Sequence, residues 1–199
     1  MICLKCRQQI QGAEKPLHGL HEKCFTQWFK LSGTSDFTDH YAKQTSSEPS
    51  GSNDEKFSRL NSSFFHGKYK KYSARLAGRN YILKVQQTEY PELPPTEYLS
   101  NQLASLLGLD VPSFFYILFQ GTMHAFVSQN IIDLNQGGTL DHIYHFFKND
   151  EDLACKDLID VILRETGSLF EAVRFIELVL FDSLIGNHDR HGRNLAILM

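Results

Sequence analysis

The chain lacks an apolar stretch long enough to cross a membrane. The longest apolar runs, such as FFYILF at 114–119 and FIELVLF at 175–181, fall far short of the roughly 20 residues that a spanning helix needs. Met1 leads directly into ICLKC, without the apolar core of a signal peptide. These absences predict a cytoplasmic protein with no membrane partner.

Strong charge of either sign is also lacking. Lys and Arg total 20 and Asp and Glu total 23, a net charge of -3, so the overall balance gives no indication of direct nucleic-acid binding. Internal repeats are absent from the sequence. The hydrophobic content of 42% is ordinary for a globular protein and predicts one domain with a good core plus a small appendage.

Cysteine is scarce, and four residues of this type are too few for a disulfide framework in a chain of this length. Three of them fall in the first 24 residues, where a C-x2-C pair is followed by an H-x2-C pair. Two such pairs can close a tetrahedron around zinc, so residues 1–31 are predicted to form a head held by a structural Zn²⁺ site. The alternative is that these are unrelated surface residues. The candidate ligands are Cys3, Cys6, His21 and Cys24, with His18 in reserve.

Composition changes twice after the head. Residues 32–56 are rich in Ser, Thr, Asp and Gly and predict a flexible linker, because few of them can bury apolar surface. Regular apolar patterns from 57 to 199 predict a folded domain. Cys155 stands alone in that domain and is expected to pack as a small hydrophobe.

Strand patterns precede most of the helical patterns in this domain. The helix at 96–108 has Pro94 and Pro95 ahead of it and carries a stripe of leucines. This order predicts an α+β fold with a sheet in the N-terminal lobe and a helical C-terminal lobe. The other predicted elements are a strand at 80–86, two strands around a glycine turn at 113–131 and a mostly buried helix at 170–186; the leucine stripe is Leu99, Leu103, Leu106 and Leu107.

The segment GNHDRHGRNLAIL, at 186–198, concentrates polar chemistry in one loop. Phosphoryl transfer needs a carboxylate for the attacking hydroxyl and an amide oxygen for a magnesium ion, and Asp189 followed by Asn194 would supply both. A metal site formed by His188, Asp189 and His191 is one alternative. A polar turn between a helix and a strand is the other.

Lys84 interrupts the apolar strand YILKV, where an ammonium group is costly unless it meets an anion such as phosphate. Glu97, in the first turn of the next helix, could pair with it. The alternative is a lysine with a solvated tip at a sheet edge and a glutamate that merely suits a helix N-terminus. Upstream, residues 61–76 could form a hairpin covering phosphates, with Ser62, Ser63, His66 and Gly67 at its tip and Lys70 or Lys71 nearby.

Three stretches together resemble the HipA-like serine/threonine kinases, in particular the C-terminal catalytic domain of that toxin family. They are RNYILKVQQTEYPELPPTEYLSNQLASLLGLDVP at 79–112, LVLFDSLIGNHDRHGRNLAIL at 178–198 and, more weakly, SSFFHGKYKKYSA at 62–74. Family members, including HipT-like ones, often begin with a C-x2-C and H-x2-C zinc head, which CLKC and LHEKC resemble. The resemblance implies a protein-kinase-like fold.

The resemblance also implies roles for individual residues. Lys84 would contact the ATP phosphates with Glu97 beside it, Asp189 would be the catalytic base and Asn194 would bind Mg²⁺. The 62–67 turn would be the phosphate loop, with Ser62 and Ser63 as candidates for autophosphorylation. The implied substrate is a protein, as in the aminoacyl-tRNA synthetases that known members phosphorylate, and the implied partners are a HipB-like DNA-binding antitoxin and a small HipS-like antitoxin.

Two departures from the family pattern leave other functions open. Phe64 and Phe65 stand in the loop where the family prefers small residues. The second magnesium-binding Asp of the family lies downstream of the Asn, whereas this sequence ends at Met199. We therefore expect a fragment of a longer kinase or one half of a split kinase. A non-catalytic kinase-like binding module and a kinase for lipids or small molecules are the alternatives.

Overall fold

A computed structural model describes residues 1–12, 14–43, 71–134, 138–147, 154–188 and 195–198. The chain divides into two compact units, one comprising Met1–Asn101 with Pro112–Asp133 and the other comprising Gln102–Val111 with Leu134–Met199. The first unit holds an antiparallel sheet and the second is mainly helical. This confirms the predicted α+β class.

The first unit is built on five described antiparallel strands, β1 (Thr38–Lys43), β2 (Lys71–Leu76), β3 (Arg79–Val85), β4 (Phe114–Phe119) and β5 (Met123–Gln129). Their order in the sheet is β1-β2-β3-β5-β4. The predicted strand at 80–86 is confirmed as β3, which lies at the centre of this order. The predicted strand pair at 113–131 is also confirmed, and its turn places Gln120 and Gly121 at positive φ. Helix α1 (Glu22–Trp28) precedes the strands.

One face of this sheet shares its core with the cysteine-rich head. Side chains alternate between faces along each strand, so Tyr81, Leu83 and Val85 of β3 point to the same side as Phe115, Ile117 and Phe119 of β4. The head contributes Cys3, Ile10, Leu20, Phe25 and Phe29 to the same buried cluster. The head therefore packs as one layer of the first unit.

The segment predicted as a linker begins with ordered residues. Phe37 is 5% exposed and its ring packs edge-on against Phe29 and Tyr81, with centroids 5.4 and 5.9 Å apart. The next residues form β1, which pairs antiparallel with β2. A single aromatic side chain can anchor a polar segment where an apolar surface and a free strand edge are already present. Residues 44–56 lie outside the described residues.

Helix α2 (Leu93–Leu106) begins earlier than predicted. Pro94 and Pro95 lie inside its first turn, where the N–H groups have no helical partner and proline is tolerated. The helix ends before Gly108, which has φ +78°. The leucine stripe faces away from the described core: Leu99, Leu103, Leu106 and Leu107 are 65%, 37%, 82% and 57% exposed.

The second unit has its own core, formed where the two longer helices meet a short strand pair. Ile143, Leu158, Val161 and Phe175 are among its buried members. Its elements are β6 (Leu140–His142), a 3-10 turn (Ile143–Phe146), α4 (Cys155–Thr166), α5 (Leu169–Ile185) and β7 (Ala196–Leu198). Strands β6 and β7 pair antiparallel. A single helical turn, α3 (Ile131–Leu134), begins in the first unit and ends at the residue where the second unit resumes.

The predictions of a mostly buried helix at 170–186 and of a packed Cys155 are both wrong. Helix α5 is buried along one side only, because its apolar residues surround the axis whereas the described neighbours cover a single face. Cys155 is exposed at the start of α4 and is not packed as a hydrophobe. Exposed apolar residues of α5 are Leu169, Phe170, Val173, Ile176, Leu180 and Leu184. Among the described residues, no helix combines the length and hydropathy needed to span a membrane.

Candidate functional site

The four predicted metal ligands converge in the head. One ligand atom from each of Cys3, Cys6, His21 and Cys24 lies within 4.8 Å of all the others. His21 Nδ1 is 3.4 Å from the Cys6 sulfur and 3.8 Å from the Cys24 sulfur. A tetrahedral zinc ion with Zn–S bonds of about 2.3 Å separates its sulfur ligands by about 3.8 Å. The group fits a metal ion of this kind and could hold one.

Local backbone structure brings the two ligand pairs together. Around the first pair, the Cys3 N–H donates to the Gln8 carbonyl and the Arg7 N–H donates to the Cys3 carbonyl, which closes a tight turn. In the second pair, His21 is the N-cap of α1 and Cys24 lies in its first turn. Both side chains of the second pair are thus fixed by one helix start.

The His21 ring is oriented by atoms that would not bind the metal. Its Nε2 lies 3.4 Å from the Gln9 carbonyl and 3.9 Å from a Glu14 carboxylate oxygen. An Nε2–H that donates to this carbonyl leaves Nδ1 as the metal-binding atom. Metal-binding histidines usually donate their other ring N–H to a carbonyl or carboxylate in this way.

His18, the reserve ligand, lies outside the metal-binding group. Its Nε2 is 2.5 Å from Asp36 Oδ1 and its Nδ1 is 3.3 Å from the Leu118 carbonyl. The Leu118 N–H in turn donates to the His18 carbonyl at 2.8 Å. Next to it, Gly19 has φ +77° and a Cβ there would lie 2.9 Å from Leu118 Cγ. Hydrogen bonds and close packing of this loop therefore hold the head against β4.

Two thiols of the group, those of Cys3 and Cys24, differ in acidity. Burial alone raises the pKa of Cys3, but hydrogen bonds from backbone N–H groups, led by that of Cys6, outweigh burial and lower this pKa to about 6. Burial and the neighbouring sulfurs of Cys6 and Cys3 raise the pKa of Cys24 to about 11. One thiolate is therefore stabilised by the backbone, and further thiolates beside it need a cation.

The opposite face of the sheet brings Lys84 and Glu97 together. Lys84 points away from the head, and its Nζ forms an ion pair with Glu97 Oε1; each side chain is 25% exposed. The ammonium also lies 5.8 Å from the centroid of the Phe126 ring, within cation-π range. Because β3 lies between β2 and β5, Lys84 is not the edge lysine of the alternative interpretation.

A second lysine accompanies Lys84 on this face. Lys71 of β2 is its direct cross-strand partner, so both side chains leave the sheet on the same side. This face of the sheet therefore carries two lysine side chains from neighbouring strands.

The polar loop is anchored where α5 ends. Gly186 has φ +68°, and the next residue, Asn187, donates from its backbone N–H to the Asp182 carbonyl at 2.8 Å. Its side-chain amide donates to Asp182 Oδ1 at the same distance, 2.8 Å. Asp182 is 4% exposed and was not among the site residues predicted from the sequence. A lone carboxylate in the apolar run LVLFDSLIG was the available signal.

Beyond the loop, the chain returns to the core of the second unit. The Leu195 carbonyl accepts a hydrogen bond of 2.9 Å from the Ile143 N–H. Strand β7 follows directly and pairs with β6. The polar loop is therefore held at both ends by described structure.

The model of the HipA-like C-terminal domain family matches residues 18–199. The chain belongs to the HipA-like C-terminal domain family. The match begins in the head, so this HipA-like domain takes in His21 and Cys24 as well as the sheet and the helices. Among curated proteins, none matches the chain.

Several predicted residues of the HipA-like domain lie outside the described residues. These are Asp189 and Asn194 in the polar loop and Ser62, Ser63, His66 and Gly67 in the predicted phosphate loop. His188 is described and exposed, but the other members of its alternative metal site, Asp189 and His191, are not described. The roles assigned to all of these residues stay predictions.

Proposed function

We propose that this HipA-like domain acts as an ATP- and Mg²⁺-dependent serine/threonine protein kinase that transfers the γ-phosphoryl group of ATP to a protein hydroxyl. The observation that supports this most directly is the ion pair between Lys84 on the central strand and Glu97 in α2. Kinases use such a pair to hold the lysine ammonium against ATP phosphates.

The charge on this face of the sheet favours a phosphate ligand. Lys71 and Lys84 place two ammonium groups on this face, and Glu97 forms an ion pair with Lys84. Phe126 borders the Lys84 ammonium with an apolar ring, which limits its access to water. A triphosphate would supply the anionic charge that these groups can accept.

In the proposed reaction, the Asp189 carboxylate orients the substrate hydroxyl and accepts its proton. Asn194 offers an amide oxygen to Mg²⁺, which when bound offsets the negative charge of the phosphates. The buried Asp182 and strand β7 fix the ends of the loop that carries both residues. The 62–67 turn would cover the phosphates, with Ser62 and Ser63 as autophosphorylation candidates.

The metal in the head is proposed to be Zn²⁺. Three thiolates and one imidazole are the ligands that zinc prefers, and four protein ligands leave no open position for catalysis. Zinc here would have a structural role. It would hold together a head too small to fold without it.

The resemblance to the HipA-like kinases suggests where the protein acts and with which partners. We propose a cytoplasmic kinase whose substrate is a protein of the aminoacyl-tRNA synthetase class. HipB-like DNA-binding antitoxins and small HipS-like antitoxins are the proposed partner classes, and each can be tested by a pull-down with the purified chain.

The decisive experiment follows phosphate transfer from ATP with Mg²⁺, by intact mass for the chain itself and by radiolabel for protein and lipid mixtures. Asp189→Asn should lower transfer by about 10²–10⁴-fold, the contribution of a positioned base, and leave the melting temperature unchanged. Glu97→Gln should lower it by up to about 10²-fold, because Lys84 loses its orienting partner. Asp160→Asn, at an exposed position of α4, is the matched control and should retain activity.

Other results would change the assignment. Full activity in Asp189→Asn would remove this residue as the base. Nucleotide binding without transfer by the wild type would favour a non-catalytic binding module or a split kinase. Transfer to lipid but not to protein would favour the small-molecule alternative.

A further inference from the structure

The metal-binding head and the Lys84–Glu97 pair lie on opposite faces of the same sheet. Helix α1 packs on the face formed by Tyr81, Leu83 and Phe115, whereas Lys84 leaves the sheet on the other face. Their connection runs around β4, which stands at one end of the described strand order.

Trp28, the last residue of α1, makes this connection. Its ring packs edge-on against Phe115 on the head side of β4, with centroids 5.7 Å apart. The same ring meets Tyr98 of α2 edge-on, with centroids 6.5 Å apart. Trp28 is partly buried and joins the core that contains Cys3.

Tyr98 is held from two directions and directly follows Glu97 in the sequence. Its ring packs against Phe114 and Tyr116, at centroid distances of 5.6 and 5.4 Å, on the face of β4 opposite Phe115. Trp28 adds the contact from the head. The start of α2 therefore rests on β4 and on α1 together.

The geometry of α1 connects this contact to the metal ligands. Cys24 and Trp28 are four residues apart in one helix and so share a face, and His21 is the N-cap of that helix. Metal held by His21 and Cys24 fixes the first turn of α1, and the rigid helix fixes Trp28 at its last.

We propose that Trp28 is a positioning residue that, through Tyr98, aligns α2 so that Glu97 meets Lys84, and that metal in the head thereby sets the position of the Lys84 ammonium. Its consequence for ATP binding rests on the proposed kinase function. The positioning itself does not, because the ion pair is present whatever ligand it serves.

The reactivity of Lys84 toward an amine-acylating reagent measures this positioning without nucleotide. The labelling rate of Lys84, from peptide mass spectrometry of the full chain, is compared with that of exposed Lys156 in α4. Glu97→Gln sets the rate for an unpaired Lys84. Zinc-loaded Trp28→Ala should label Lys84 about two- to tenfold faster than zinc-loaded wild type, the range expected for loss of one aromatic pair.

Two further variants separate positioning from simple loss of core packing. Trp28→Phe retains a ring at this site and should restore most of the slow labelling. Leu31→Ala removes a partly buried side chain just after α1 that packs on the same core, and it should leave the Lys84 rate unchanged. Because Trp28 is the single tryptophan of the chain, its emission spectrum should also shift in zinc-loaded Tyr98→Ala.

A second test of the proposal removes the metal from the head. Chelation should raise the Lys84 labelling rate in the wild type at least to the rate of zinc-loaded Trp28→Ala, because loss of the metal-bound head removes the Trp28 contact with Tyr98, and an unchanged rate would overturn the proposal. The proposal would be overturned if zinc-loaded Trp28→Ala labelled Lys84 at the wild-type rate. It would also be overturned if Leu31→Ala raised the Lys84 labelling rate as much as Trp28→Ala does. Failure of ATP transfer with these labelling results intact would count against the kinase assignment alone.

Discussion

Removing the metal from the head should unfold the five-stranded sheet together with it. The head is a layer of the sheet's own core, with Ile10, Leu20, Phe25 and Phe29 buried against the strands. Loss of the metal is expected to separate the two ligand pairs, because three thiols crowded within 4.8 Å need a cation between them, and to release the packing of the head on the sheet. Departure of the head would expose the apolar face of the sheet to water.

The magnitude follows from these four side chains. Full burial of a large apolar side chain is worth about 1.5–3 kcal/mol, so together they contribute about 6–12 kcal/mol, an upper value because unfolded chains are partly compact. A whole domain is typically stable by only about 5–15 kcal/mol. The sheet is therefore expected to lose most or all of its stability with the head.

Hydrogen exchange followed by mass spectrometry can test this prediction. Peptides covering β3 and the β4–β5 hairpin should lose protection at the same chelator concentration as peptides from the head. Peptides from α4 and α5 belong to the second unit and should keep their protection. Cys24→Ser should reproduce the effect of the chelator, whereas Cys155→Ser, at an exposed cysteine outside the ligand group, should behave as wild type.

Persistence of protection in β3 and β5 after the head peptides have exchanged would refute this reasoning. The head would then be an independent module, as a small appendage joined by a linker would be.

Two further predictions test how the loops are fixed. Gly19→Ala should cost more stability in urea unfolding than Gly78→Ala: both residues have positive φ, a strain of about 1–2 kcal/mol, but only at Gly19 does the added Cβ meet Leu118, at 2.9 Å. Equal losses would mean that the loop shifts freely. Asp182→Ala should lower the unfolding free energy by about 1–3 kcal/mol because the Asn187 side-chain amide loses its acceptor, and an unchanged urea midpoint would show that the loop is held by other contacts.

Features that depend on residues close together in the chain could be predicted from the sequence. The spacing of Cys3, Cys6, His21 and Cys24 predicted a group that the structure brings within metal-binding distance. The alternation around Lys84 predicted β3, and the glycine turn at 120–121 predicted the β4–β5 hairpin. The loop placement of Asp189 and the phosphate-loop roles stay predictions.

The errors arose where burial depends on which partner covers a face. The leucine stripe of α2 and much of α5 are apolar yet exposed, because periodicity shows that a face is apolar but not what packs on it. Phe37 was assigned to a linker because its neighbours are polar, but its ring packs edge-on against the rings of Phe29 and Tyr81.

The sequence by itself determined the metal-binding pattern, the α+β class and the position of a lysine in an apolar strand, since each follows from short-range spacing. Only the tertiary structure decided that the head and the sheet share one core and that Trp28 meets Tyr98 around β4. It also decided that Glu97 reaches Lys84. Such contacts join residues distant in the chain, and their formation depends on the packing of whole faces, which no local spacing encodes.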